Sequence, residues 1–146
     1  MLKDQIEENY LMAMKEKDAP RVSTLRMLKS GLKNREIESG QDLTDEEIIQ
    51  VIQSQIKSRR DSIELYKKGG RGELAEKEET EANILMEYLP EQMSREEIRA
   101  KLQEVIASSE AKGLQDMGKV MGLTASELKG RAEMGEVAKI AKELLQ

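Results

Sequence analysis

The chain has 146 residues, a net charge of −5, three Tyr with no Phe or Trp, and neither Cys nor His. This length makes one domain or two small ones, and the missing residue types exclude disulfides, thiolate or imidazole metal centres, and Cys–His or Ser–His catalysis. Leu, Ile and Val number 16, 11 and 5, enough with nine Met to form a core, while the scarcity of aromatic side chains disfavours an all-β core and base-stacking platforms.

The expectation is therefore an all-α, multihelical protein. Apolar positions recur with a 3.6-residue period, and with Pro, Gly and capping signals they predict helices over 2–17, 20–38, 45–68, 72–88, 95–112, 115–122, 125–129 and 134–145. Representative stripes are Leu2, Ile6, Tyr10 and Ala13, then Leu25, Leu28 and Leu32, then Ile48, Ile52, Ile56, Ile63 and Tyr66, and later Ile98, Leu102 and Val105. Three helix starts share one grammar: Leu43-Thr44 with Glu47 and Ile48, Met93-Ser94 with Glu97 and Ile98, and Leu123-Thr124 with Glu127 and Leu128. Each reads as a capping box inside a hydrophobic staple. Gly40, Gly69, Gly113 and Gly130 follow periodic segments, where a left-handed C-cap is expected.

Pro90 disfavours helix at Leu89, and a capping box follows directly, so the chain divides into an N-terminal helical subdomain, 1–90, and a smaller C-terminal one, 94–146. Through residue 93 there are 20 acidic and 15 basic residues, and nine of each thereafter. The surplus negative charge is thus confined to the first part.

Two carboxylates interrupt an apolar stripe. On the helix starting near residue 72, Glu78 and Glu81 project close to the face of Leu74, Leu85 and Tyr88. The preceding helix has Arg59 in its own stripe, and an antiparallel hairpin through 68–72 sets Arg59 opposite Glu81 with Glu78 one turn away. A guanidinium can satisfy both carboxylates in a desolvated seam, forming a structural ion network. Glu78 and Glu81 could otherwise bind a divalent cation or share a proton, but no His or acid-rich motif completes such a site.

Arg26, Lys29 and Lys33 form a basic ridge beside the apolar face of Leu25, Leu28 and Leu32, readable as a solvated helix flank or as a phosphate ridge. Further on, Gly118 and Gly122 leave a bare helix strip next to Lys119, and tight helix packing is the simpler explanation for it. Gly130 stands between Lys129 and Arg131, a basic corner able to hold a phosphate or to complement a helix dipole. No Walker A or dinucleotide fingerprint occurs, so no cofactor and no metal are expected. With no basic-then-apolar N-terminus and no run near the roughly 20 apolar residues of a membrane span, the expected setting is cytoplasmic, without membrane contact.

In order along nearly the whole chain, Thr24-Leu25-Arg26-Met27-Leu28-Lys29-Ser30, Arg59-Arg60-Asp61-Ser62-Ile63, Gly70-Arg71-Gly72-Glu73-Leu74-Ala75, Tyr88-Leu89-Pro90-Glu91-Gln92, Met117-Gly118-Lys119-Val120-Met121 and Lys129-Gly130-Arg131-Ala132 resemble the GatB/YqeY family. The resemblance implies an all-helical fold and a link to the tail of the B subunit of tRNA-dependent amidotransferase. There the tail helps to hold tRNA, while amide transfer belongs to other domains. It further implies a non-catalytic accessory module, with Lys119, Lys129 and Arg131 as candidate nucleic-acid-binding residues and tRNA, or an amidotransferase or tRNA-synthetase assembly, as partner. After Ala132 the sequence departs from the family pattern: Glu133-Met134-Gly135-Glu136 replaces an Asp-Gly-Lys type turn, losing a cation and adding an acid. Two other readings stand beside this one. One is a helical protein-interaction adaptor without RNA binding. The other is carbon–nitrogen ligase activity with glutamine as amide donor, exercised only within a larger complex.

Overall fold

A computed structural model describes residues 1–146. The chain is all-α: α1 (Leu2–Glu16), α2 (Ala19–Ser39), α3 (Asp45–Lys68), α4 (Gly72–Met86), α5 (Arg95–Ser109), a 3₁₀ turn (Leu114–Asp116), α6 (Met117–Leu128) and α7 (Met134–Leu145). These form two compact units, Met1–Leu89 and Pro90–Gln146.

In the first unit, local chemistry sets where each helix begins and stops. Asp18 caps α2 by accepting the Arg21 N–H at 3.3 Å, and Pro20 lies in the first turn, where its missing N–H costs nothing. Gly40 ends α2 at φ +74, a conformation available to glycine without a Cβ clash. Thr44 and Glu47 cap α3 reciprocally, while the flanking Leu43 and Ile48 are both buried, completing the staple. The core gathers Ile6, Leu25, Leu28, Ile48, Ile52, Ile56, Leu85 and Tyr88 from all four helices. Asn9 on α1 donates to the Tyr88 hydroxyl at 2.8 Å, tying α1 to the residues just past α4.

The face of α4 differs from the predicted stripe. Leu74 is exposed, and Ala75, Ala82, Ile84 and Leu85 form the buried surface together with Glu81. Small alanines let α3 and α4 approach closely, which a Leu-based seam would not.

In the second unit, Ser94 and Glu97 form the capping box of α5, and Leu102, Val120, Leu128, Val137 and Ile140 fill the core. The third predicted cap does not exist. α6 runs unbroken through residues 122–125, and Thr124 is a fully buried mid-helix residue whose hydroxyl donates to the Val120 carbonyl at 3.0 Å. Val120, Thr124 and Leu128 recur every fourth residue and face the core together, so burial of that stripe overrides the capping grammar. The exposed Leu123 therefore staples nothing.

Two of the predicted glycine caps also shift. α5 ends at Glu110, at φ +58, while Gly113 is extended, and after α3 it is Gly70, not Gly69, that adopts positive φ.

Candidate functional site

α6 ends at Leu128, and the next three residues form a tight loop. Gly130, buried and at φ +81, turns the chain so that the Arg131 and Ala132 N–H groups both donate back to the Leu128 carbonyl, at 3.0 and 3.1 Å. Residues 91–93 lie along this loop. Met93 N–H donates to the Arg131 carbonyl at 2.9 Å, Gln92 Nε2 donates to the Gly130 carbonyl at 2.8 Å, and Arg131 Nε donates to the Glu91 carbonyl at 3.2 Å. Lys129 and Arg131 therefore project from a backbone fixed by chain some 40 residues away, one side chain exposed and the other half-buried.

The electrostatic setting follows from which acids already have partners. Glu136 pairs with Arg95 Nη1 and Glu143 pairs with Arg95 and Arg99, so these carboxylates are directed to α5. Lys101 pairs with Glu127 at 2.6 Å, and this contact raises the Lys101 pKa above its usual value.

Lys119 does not join this loop. It lies at the opposite end of α6, about 15 Å away along the helix axis at 1.5 Å per residue, and its ammonium donates to the Ser109 carbonyl at 3.0 Å, near the C-terminal end of α5. There it complements the negative end of that helix dipole. Gly118 and Gly122 are exposed, with open space where a Cβ would stand, so tight packing does not account for the bare strip.

The ridge of Arg26, Lys29 and Lys33 faces α1. Lys29 pairs with Glu7 at 2.6 Å and lies 4.2 Å from the centre of the Tyr10 ring, and Arg26 Nε donates to the Tyr10 hydroxyl at 3.3 Å.

Arg59 is buried between α3 and α4. Its Nη1 reaches Glu78 at 3.0 Å and also pairs with Glu81, so one nitrogen serves both carboxylates in place of a side-on fork. A guanidinium thus occupies the position where a cation bridging Glu78 and Glu81 would lie. Sequence reasoning missed two further members of this cluster. Met27 Sδ accepts from Arg59 Nη2 at 3.3 Å, and Gln55 Nε2 donates to the Met27 carbonyl at 3.4 Å. The available signal was Gly31, a costly residue in a helix interior: a Cβ there would come within 2.5 Å of Gln55 Nε2.

The chain matches the family described as Yqey-like protein over residues 3–145. It is 36% identical over 104 residues to a protein of Lachancea thermotolerans named "Altered inheritance of mitochondria protein 41, mitochondrial", a match covering 69% of this chain and 56% of that protein. A protein of the same name from Pyrenophora tritici-repentis is 32% identical over 136 residues, covering 91% of this chain and 75% of the relative. The chain thus spans little more than half the length of the first relative. The cytoplasmic expectation is overturned by these names, since both relatives are designated mitochondrial. It had rested on the lack of a targeting pattern in the sequence, whereas the observation that stands is narrower: no helix is long and apolar enough to cross a membrane. With the match running over all but the terminal few residues, the chain belongs to the Yqey-like family.

Proposed function

We propose that the chain is a non-catalytic accessory module that binds tRNA, or an assembly of tRNA with an amidotransferase or synthetase, through the Lys129–Arg131 loop. The observation that carries this reading is the fixed backbone of that loop, which presents two neighbouring cations without a folding cost at the moment of binding. Arg131 uses Nε internally, leaving its terminal nitrogens to meet a phosphate. Family membership and the resemblance to the amidotransferase B-subunit tail support the choice of tRNA. With no His or Cys in the chain, amide transfer in this reading is the work of a larger complex.

The test is tRNA affinity at two salt concentrations for the wild type, Lys129→Ala and Lys119→Ala. Lys129→Ala should weaken binding and reduce the log–log salt slope by about 0.9, the value for one lost phosphate contact. Lys119→Ala, at the other end of α6, should leave the slope unchanged. Equal slopes for Lys129→Ala and wild type would sink the proposal. The adaptor reading gains from the open face of α6, where Leu123 is 51% exposed beside Gly122. Absence of tRNA binding at low salt would favour it.

A further inference from the structure

α1 and α2 run antiparallel across a two-residue turn, and three rungs cross between them: Lys3 with Glu36, Glu7 with Lys29, and Tyr10 with Arg26. Beside these rungs the helices leave a groove of about 440 Å³, within the range typical of small-molecule sites. Its accessible apolar surface is the half-buried Tyr10 ring, since Ile6 and Leu32 are closed off in the core at 1% and 6% exposure.

Charge is unevenly matched in this groove. Four cations line it, Lys3, Arg26, Lys29 and Lys33, against two carboxylates, Glu7 and Glu36. Each carboxylate holds one lysine, at 2.6 Å for Glu7–Lys29 and 2.8 Å for Lys3–Glu36. Arg26 and Lys33 are left without a carboxylate partner, two helical turns apart on the groove side of α2. Seven residues at 1.5 Å separate them by about 10 Å along the axis, a gap that two long side chains can close around one tetrahedral anion.

We propose that this groove binds a small organic phosphate monoester, its phosphate held between Arg26 and Lys33 and its organic part lying against the Tyr10 ring. The surplus of two positive charges matches the charge of a phosphate monoester, about −1.5 to −2 at neutral pH. The guanidinium supplies the planar fork suited to phosphate oxygens, and its position is set by the Tyr10 hydroxyl. A nucleic-acid backbone fits less well. Glu7 and Glu36 lie along the same groove and would repel a polyanion threading it, whereas a single phosphate on the α2 wall meets carboxylates that Lys29 and Lys3 already hold.

The experiment is calorimetry and backbone-amide NMR on the full chain, with phenyl phosphate, inorganic phosphate and tRNA as separate probes. Phenyl phosphate should shift amides of α1 and α2 and bind more tightly than inorganic phosphate, because only the ester uses the Tyr10 ring. Arg26→Ala, a change at an exposed position, should weaken phenyl phosphate about tenfold, the effect of one lost charge-assisted hydrogen bond. Glu7→Gln should tighten it, since one negative charge leaves the groove. Equal affinity for the two phosphates, shifts confined to other helices, an unaltered affinity in Arg26→Ala, or α1–α2 shifts produced by tRNA alone would each overturn the proposal. The readout is phenyl phosphate at α1 and α2, so its failure leaves the reading of the Lys129–Arg131 loop untouched.

Discussion

Arg59 and Glu81 are paired inside the α3–α4 hairpin with side chains only 8% and 5% exposed. In that setting the pair specifies register more than it adds net stability, because desolvating two charges offsets most of their attraction. Removing one partner is another matter. Glu81→Ala leaves Arg59 still paired with Glu78 at 3.0 Å, so it should destabilise the first unit by less than the cost of a stranded buried charge, about 3–5 kcal/mol. Arg59→Met should cost that full amount, since it leaves both Glu78 and Glu81 without their cation. Arg59→Met combined with Glu78→Gln and Glu81→Leu should recover most of the loss. Urea unfolding followed by a probe in the first unit checks this, and a single variant as stable as wild type would show that the site is wet.

Tyr88→Phe removes the acceptor for Asn9 Nδ2 while preserving the ring that fills the core. The expected loss is about 1 kcal/mol, that of one hydrogen bond of ordinary strength. Amide exchange should report it as faster opening of α1. Unchanged exchange there would mean that the bond contributes nothing to docking α1.

Glu47 gives a pH dependence of definite sign. The Thr44 backbone N–H, and then the Thr44 hydroxyl, hold the Glu47 carboxyl below its ordinary value of 4.5. A lowered folded pKa means that the carboxylate stabilises the fold above the unfolded value, and that this contribution is lost as pH falls through the folded one. Stability measured from neutral pH down into the acid range should therefore fall less steeply in Glu47→Gln than in wild type. Parallel curves would show that the capping box is not formed in solution.

Gly118 and Gly122 sit in α6 with nothing near their missing Cβ positions. Gly118→Ala and Gly122→Ala should each stabilise the second unit by about 0.5–1 kcal/mol, because alanine loses less backbone entropy in a helix. Thermal melts read the gain. If either variant also weakens a partner found by pull-down, the bare strip is a contact surface; a loss of stability would show that the strip is covered in the protein alone.

Thr124→Val distinguishes a buried mid-helix threonine from a helix cap. The carbonyls of Val120 and Met121 that accept its hydroxyl keep their helical N–H partners, so valine should match or raise the thermal midpoint. A loss of about 1–2 kcal/mol, as expected for an N-cap, would mean that a helix starts at Thr124.

The all-helical class was legible in the sequence because it depends on local features: a 3.6-residue apolar period, two capping boxes at Thr44 and Ser94, and the absence of Phe and Trp. The position of Arg59 opposite Glu81 was legible for a related reason, since two helices joined by three residues can face each other in only one register. Tertiary structure decided the rest. Thr124 carries the same grammar as Thr44, yet it is a core residue because α6 buries Val120, Thr124 and Leu128 as one stripe, and burial of that stripe outweighs one cap. The separation of Lys119 from Lys129 and Arg131 follows from that same unbroken helix. The inward hydrogen bonds of Arg131 and Gln92, and the turning of Arg26 and Lys29 toward Tyr10, join residues distant in sequence. Periodicity reports which face of a helix is apolar, but not which neighbour its flanking cations will meet.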